Sequence, residues 1–479
     1  MNTHFTLEKQ LQYEKALAEH DDFEGVALLQ GIIFDHALQR RTPVRQSDHK
    51  TARVSIAQKL RRKISTLKKY CILTLISLHS AYAYKKATTQ TDRILHYMIQ
   101  KNTLATRTDK DDLCAYDKRS HPVLKTINPS DTLNIIHAQN MDTAYETRHT
   151  IHNPIYFEYA AFFLLPFVYI QAVFRTHALR QRIEKPFEIS FREEVKFRAR
   201  KIVIYWFFSI LFGYIGPKNT LIIDDSRHTT PLRRAANRNG CKTIFYMHGR
   251  FNEHHIGLFH TPPDTYLMWS DYYESLYKHH YQKRFKTLNT QIIKVGAYHL
   301  NQMPPLTKKE KGKDVHLLLI LEDNVDYTAL IPFLDSAIKY PHLKLSFKAK
   351  NNNAPDALNT FIKQHDINIH CDLPLYETCK EQGVDIICGT HSTALLESWL
   401  MGIPSIILGT NLPYADHMIA DNLCLVAKTP NDLKAAIDTA RKISPQEIQK
   451  FQHKLWSWHP SSPYTANVIA DTLESLIPA

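Results

Sequence analysis

VDIICGTHSTALLESWLMGIPSIILG, residues 384–409, reads as strand, turn, helix, turn and strand in immediate succession. Val384–Cys388 is apolar except for Asp385 and reads as a buried strand. Gly389 ends it, and Thr390, His391, Ser392 and Thr393 make a polar turn. A helix follows over Thr393–Met401 and stops at Gly402. Pro404 then leads into a second apolar strand, Ser405–Leu408. Two buried strands joined through a helix form a parallel unit, because parallel neighbours need a long crossover.

The same alternation extends in both directions. Upstream lie strands at Val315–Leu321, Lys344–Phe347 and Ile367–Cys371, with helices at Tyr327–Lys339 and Ala354–Gln364. Downstream lie a strand at Leu423–Ala427 and a helix at Asn431–Arg441. A last helix, Tyr464–Ile477, is placed to return to the preceding domain. Met303–Lys313, with Pro304, Pro305 and a lysine-rich run, reads as a linker. Before it, strands at Leu133–His137, Thr220–Ile223, Lys242–Met247, Tyr266–Trp269 and Gln291–Val295 form a first set. The expected fold class is therefore α/β, with two Rossmann-like doubly wound domains facing each other across a cleft. The expected boundaries are a helical N-terminal extension over 1–130, a first domain over 131–302 and a second over 313–479.

Bulk properties narrow the class. The chain has 479 residues, 44% hydrophobic and 22% charged, within the range of globular proteins. Its formal net charge of +13 implies anionic partners: lipid headgroups, nucleic acid or a phosphate-bearing substrate. Seven cysteines with no CxxC pair suggest neither a zinc ribbon nor a disulfide framework. The polar start MNTHFTLEKQ is not a signal peptide. The apolar stretches Cys71–Tyr84, Ile155–Phe174 and Ile202–Ile215 read as buried or membrane-surface helices rather than spans. No G-x-x-x-x-G-K-[ST] or G-x-G-x-x-G motif occurs, which removes P-loop and dinucleotide readings. No basic, aromatic-studded nucleic-acid motif occurs either.

Chemistry concentrates at strand ends. Ser392 and Thr393 can cap the free amides of the helix they precede. Those amides also suit a phosphate, and Glu397, one turn on, can accept two hydrogen bonds from a ribose diol. An ordinary capped helix with a solvated glutamate reads the same residues equally well. Tyr246-Met247-His248-Gly249 ends another strand, ahead of a loop holding His254, His255 and His260. A histidine titrating near neutrality can take a proton from a hydroxyl. Metal binding and plain surface histidines are the alternatives, and the spacing fits no zinc pattern. Lys348 and Lys350 follow a strand and suit a diphosphate as point charges. Glu322 and Asp225 are weaker candidates at two further strand ends.

The pattern from Gly389 to Pro404, a G-T-x-S-T-x-x-x-E turn followed by G-x-P and a strand, resembles the donor-binding segment of GT-B glycosyltransferases. It is most similar to enzymes of bacterial capsule and lipopolysaccharide assembly and to the related polyol-phosphate transferases. Pro413–Asp416, Asp421 and Leu423–Val426 resemble the stretch that follows in that group, and the likeness covers about Thr220–Arg441. It implies glycosyl transfer from a nucleotide sugar to a polysaccharide or lipid-linked acceptor. It also implies a donor site at Thr390, His391, Ser392, Thr393 and Glu397, and a charge-neutralising role for Lys348 and Lys350. His248 stands where the group carries a Q-H-G turn, as general base for an inverting reaction. Related sialic-acid and polyol-phosphate transferases carry K-x-H-P at Lys348. This chain has no His-Pro there, which argues against a CMP-sugar donor. No metal cofactor is expected. The expected location is cytoplasmic, peripheral on the inner face of the cytoplasmic membrane, with an anionic membrane surface as partner and no nucleic acid. The rivals are a polyol-phosphate transferase or sugar-nucleotide epimerase on the same scaffold, and a non-catalytic basic membrane- or RNA-binding protein.

Overall fold

The computed structural model describes residues 56–87, 94–100, 104–109, 112–117, 132–138, 141–146, 148–149, 151–182, 190–223, 229–247, 249, 262–281, 289–296, 306, 314–322, 325, 327–349, 356–371, 373–409 and 413–456. The statements below concern these residues.

Two separate parallel sheets organise them. The first is built from β1 (Ile94–Gln100), β4 (Thr132–Ala138), β5 (Pro154–Tyr156), β6 (Asn219–Ile223), β7 (Lys242–Tyr246), β8 (Thr265–Met268) and β9 (Gln291–Lys294). Its order is β5-β4-β1-β6-β7-β8-β9, and every adjacent pair is parallel. A short antiparallel hairpin, β2 (Leu104–Asp109) with β3 (Asp112–Asp117), stands apart from it. The second sheet is built from β10 (Val315–Ile320), β11 (Leu343–Lys348), β12 (Asn368–His370), β13 (Ile386–Gly389), β14 (Ser405–Leu408) and β15 (Leu425–Ala427). Its order is β12-β11-β10-β13-β14-β15, again all parallel. Counted within each sheet, both run 3-2-1-4-5-6, the doubly wound order, and the first adds a seventh strand. The fold is thus α/β with two Rossmann-like sheets, GT-B-like in architecture, with helix in the N-terminal region.

The N-terminal boundary needs correction. A helical extension over 1–130 was expected, yet β1 is strand one of the first sheet and pairs with both β4 and β6. Residues 56–87 are indeed helical, but the sheet starts ahead of residue 131. The run ILHYMIQ sits among polar, charged neighbours and shows no adjoining helix–strand alternation, so the local pattern concealed it. Its parallel partners lie dozens of residues downstream, and only tertiary pairing identifies it.

The helices before the second sheet are α1 (Ile56–Ala87), α2 (Met141–Glu146), α3 (Phe157–Ala160), α4 (Leu165–Arg180), α5 (Phe191–Ile215), α6 (Thr229–Arg238) and α7 (Asp271–Tyr281). Those of the second half are α8 (Tyr327–Ile338), α9 (Asp356–Gln364), α10 (Leu375–Gln382), α11 (Ala394–Leu400), α12 (Pro413–Ala420), α13 (Asp432–Lys442) and α14 (Pro445–Trp456). α5 buries Ile202, Ile204, Phe208 and Phe212 completely or nearly so, which makes it a core helix.

One apolar core is continuous from the first sheet, through Trp269, Tyr273 and Tyr277, to Trp399 and Leu455 of the second half. A separate core covers the opposite face of the second sheet, around Leu319, Phe347, Ile406 and Ile437. α14 joins the halves. Phe451 stacks on Trp399 with ring centroids 4.1 Å apart, and the Ser270 hydroxyl donates to the Leu455 carbonyl at 2.6 Å. The Tyr272 hydroxyl, from the first half, donates to Asp421 at 2.5 Å. The return to the first domain was expected of Tyr464–Ile477, which lies outside the described residues. Of the linker 303–313 only Leu306 is described, and its amide donates to the Met401 carbonyl.

Candidate functional site

In a doubly wound sheet the crevice opens where the strand order reverses, at the carboxyl ends of strands one and four. In the second sheet these are β10 and β13. Leu321-Glu322 leaves β10, and Thr390-His391-Ser392 leaves β13, so the turn singled out in the sequence lies at the switch point.

The crevice is bridged from within the chain. The Glu322 carboxylate accepts from the amides of Thr390 (3.1 Å) and His391 (3.1 Å) and from the amide of Ser392. It also accepts from the Thr390 hydroxyl and lies 3.3 Å from His391 Nδ1. Its side chain is 5% exposed. A buried carboxylate is stable only when its oxygens are this fully hydrogen-bonded. Gly389 makes room for it: a Cβ there would lie 3.2 Å from Glu322 Oε1. The backbone of Glu322 is fixed as well, since the Tyr327 hydroxyl donates to its carbonyl at 2.9 Å.

The free amides of the helix that Ser392 and Thr393 precede were expected to suit a phosphate; the amides just ahead of that helix, those of Thr390, His391 and Ser392, hold an internal carboxylate. Thr390 is buried with its hydroxyl committed to Glu322, so it supports the turn. The Ser392 hydroxyl accepts from the Ala394 amide at 3.2 Å, the expected capping contact. Thr393 is the cap residue of α11 without a side-chain cap bond. His391, Ser392 and Thr393 of the turn and Glu397 in the first turn of α11 are half-buried. Glu322 was ranked as a weak candidate, yet it organises the whole turn. The available signal was an acidic residue at the end of strand one, in a sheet whose strand-four turn offers successive amides.

Lys348 is at the end of β11, two strands from β13. Its ammonium donates to the carbonyls of Ala349 (2.9 Å) and His370 (3.2 Å), which directs it to the β11–β12 edge. Burial, reinforced by Lys344 and Lys348, pushes the His370 imidazole below its ordinary value. Burial also pushes the Cys379 thiol up to about 12 and the Cys388 thiol well above its usual value. Neither is a thiolate nucleophile beside the turn.

The first half reaches the same place. Met247 is fully buried, its amide bonded to the Leu267 carbonyl and its carbonyl to Trp269 Nε1 at 2.8 Å. Past it the chain leaves the sheet, and a Cβ on Gly249 would sit 3.6 Å from Thr393 Oγ1. The turn after β7 and the turn after β13 therefore face each other across the two halves. His248, Lys350, Asp225 and the loop with His254, His255 and His260 lie outside the described residues. Among the described residues, no group of three His, Cys, Asp or Glu is placed to hold a metal ion.

No protein-family model matches the chain, and no curated protein matches it. Among solved structures it is similar to the UDP-GlcNAc 2-epimerase of Methanocaldococcus jannaschii, with 10% identity over 80% of this chain and 99% of that one and a TM-score of 0.46. It is similar to MurG of Acinetobacter baumannii, at 11% identity over 80% and 99% with a TM-score of 0.44. A spinosyn rhamnosyltransferase gives 12% identity over 80% and 100% with a TM-score of 0.41. These likenesses are distant, and the fold assignment rests on the strand order of the chain itself.

Proposed function

We propose that the chain is a glycosyltransferase that moves a sugar from a nucleotide-activated donor to a cell-surface polysaccharide or lipid-linked acceptor, of the kind used in capsule or lipopolysaccharide assembly. The observation that supports this reading is the meeting of Gly249 with Thr393 at the carboxyl ends of two doubly wound sheets. That crevice is where such sheets take ligands, and it has one wall from each half.

The donor lies against the β13 turn. Glu397 takes the ribose diol. His391 and the hydroxyls of Ser392 and Thr393 meet the phosphates, because the amides behind them already carry Glu322. Lys350, rather than the carbonyl-bound Lys348, offsets charge on the leaving nucleotide, in the manner of electrostatic catalysis. In an inverting transfer the acceptor oxygen bonds to the anomeric carbon as the bond to the nucleotide breaks. His248, next to Gly249, takes the hydroxyl proton.

The test is nucleotide release from a panel of nucleotide sugars, with and without polysaccharide or lipid-linked acceptors. Acceptor-dependent release is expected, with His248→Ala slowed by about a hundredfold or more and donor affinity retained. Epimerisation of the sugar without any acceptor would favour the epimerase reading instead. A wild-type rate for the His248 variant would remove the base assignment.

A further inference from the structure

The first half carries an apolar surface that its own core leaves uncovered. On α1, Ile64, Leu67, Cys71, Leu75, Leu78 and Tyr82 are all exposed. Their spacing of three and four residues puts them on one face of the helix. The opposite face, with Leu73, Ser77, Ala81 and Tyr84, is buried. Beside it, Phe162–Arg180 is the one described segment long and apolar enough to cross a membrane. Here Phe167 is 65% and Phe174 71% exposed, with Phe162, Phe163 and Ile170 each more than half exposed. The two surfaces are contiguous. Tyr70 of α1 packs edge-on to Phe162 at 4.9 Å and donates its hydroxyl to the Glu158 carbonyl.

Charge identifies the occupant. α1 contains eight Lys or Arg and no Asp or Glu, and α4 likewise contains Arg but no acid. Lys68, Lys85 and Lys86 are exposed along α1, and Lys85 sits over the Tyr214 ring at the end of α5. A second copy of this face would oppose cations to cations. An anionic bilayer neutralises them while the aromatic and aliphatic side chains enter the headgroup boundary. α4 also buries Val168, Ala172 and Thr176 beneath its exposed side, so one flank stays packed on the protein. That fits a helix lying in the interface rather than crossing it. We infer that the joint face of α1 and residues 162–174 is a monotopic docking surface for an anionic lipid bilayer. This inference does not depend on the reaction proposed above.

The full chain, sedimented with phosphatidylcholine vesicles containing about one-third phosphatidylglycerol, is expected to partition to the vesicles. Partitioning should weaken in high salt and in pure phosphatidylcholine. Leu75→Ser with Leu78→Ser, Phe167→Ser and Phe174→Ser alters only exposed positions. It should cut partitioning about tenfold or more at unchanged thermal stability. Lys85→Gln with Lys86→Gln should cost about fivefold for each charge, on the anionic vesicles alone. The inference is overturned if the wild-type chain stays in the supernatant at low salt, or if the fourfold variant binds like wild type. It is also overturned if that variant changes the oligomeric state while leaving vesicle binding intact, which would make the face a self-association surface.

Discussion

Glu322 is the residue on which the site turns. Its two oxygens gather donors from three consecutive residues, Thr390 to Ser392, and thereby fix the turn that faces the first half. Replacing it with Gln keeps the shape but turns an NH2 group toward backbone N–H groups. The variant is expected to lose about 1.5–3 kcal/mol of stability, the scale of charge-assisted hydrogen bonds. Urea denaturation measures this, and an unshifted midpoint would mean that the turn does not depend on the carboxylate. The turn itself was legible in the sequence, because a polar G-T-H-S-T stretch between an apolar strand and a helix has few other readings. What fills its amides was not legible, since Glu322 and Thr390 are 68 residues apart and only the adjacency of β10 and β13 brings them together. The direction of the Lys348 side chain was hidden for a related reason. Its position at a strand end is evident in sequence, but its turn onto the His370 carbonyl depends on β12 being the neighbour.

At the scale of elements, β10 is anchored at its start as well as its end. The His316 ring bonds the Gln382 carbonyl at 3.0 Å and the Ser346 hydroxyl at 2.7 Å, tying β10 to α10 and β11. Burial pushes its pKa below the ordinary value, partly countered by the Gln382 hydrogen bond. The folded state therefore favours the neutral ring, and the unfolded chain binds the proton more readily. The stability this contributes is complete above the unfolded histidine value of about 6.5 and is lost as pH falls below it toward the lower folded value. Urea midpoints between pH 8 and pH 5 are expected to fall more steeply for the wild type than for His316→Gln, which should be less stable at pH 8 but flatter. Parallel curves would contradict the assignment. Elements such as β10, β13 and β14 were legible because strands buried on both faces are predominantly apolar runs. β1 was not, for the same physics seen from the other side: a short strand between polar flanks declares itself only through its partners.

For the molecule as a whole, the question is what holds the two sheets in register across the crevice. α14 is placed to do so, with Phe451 stacked on Trp399 and Leu455 bonded to Ser270. Phe451→Ala removes the stacked ring from a partly covered site and is expected to cost about 2 kcal/mol or more. Amide exchange should quicken in both α7 and α11, one from each half. Acceleration confined to α11 would show that the helix does not couple them. The two-domain organisation was readable from the alternation of strands and helices on either side of the linker. The extent of the first domain was not, because its first strand precedes the expected boundary.

The central claim is that the turn after β13 and the start of α11, with His391, Ser392, Thr393 and Glu397, form a nucleotide-sugar site. Calorimetric titration of a nucleotide-sugar panel into the wild-type chain and Glu397→Gln tests it most directly. At least one donor is expected to bind, and the variant, folded as the wild type, should bind it with a loss of about 1.5–3 kcal/mol, roughly tenfold or more in affinity. Failure of every donor to bind, or unchanged affinity in the Glu397 variant, would contradict the account.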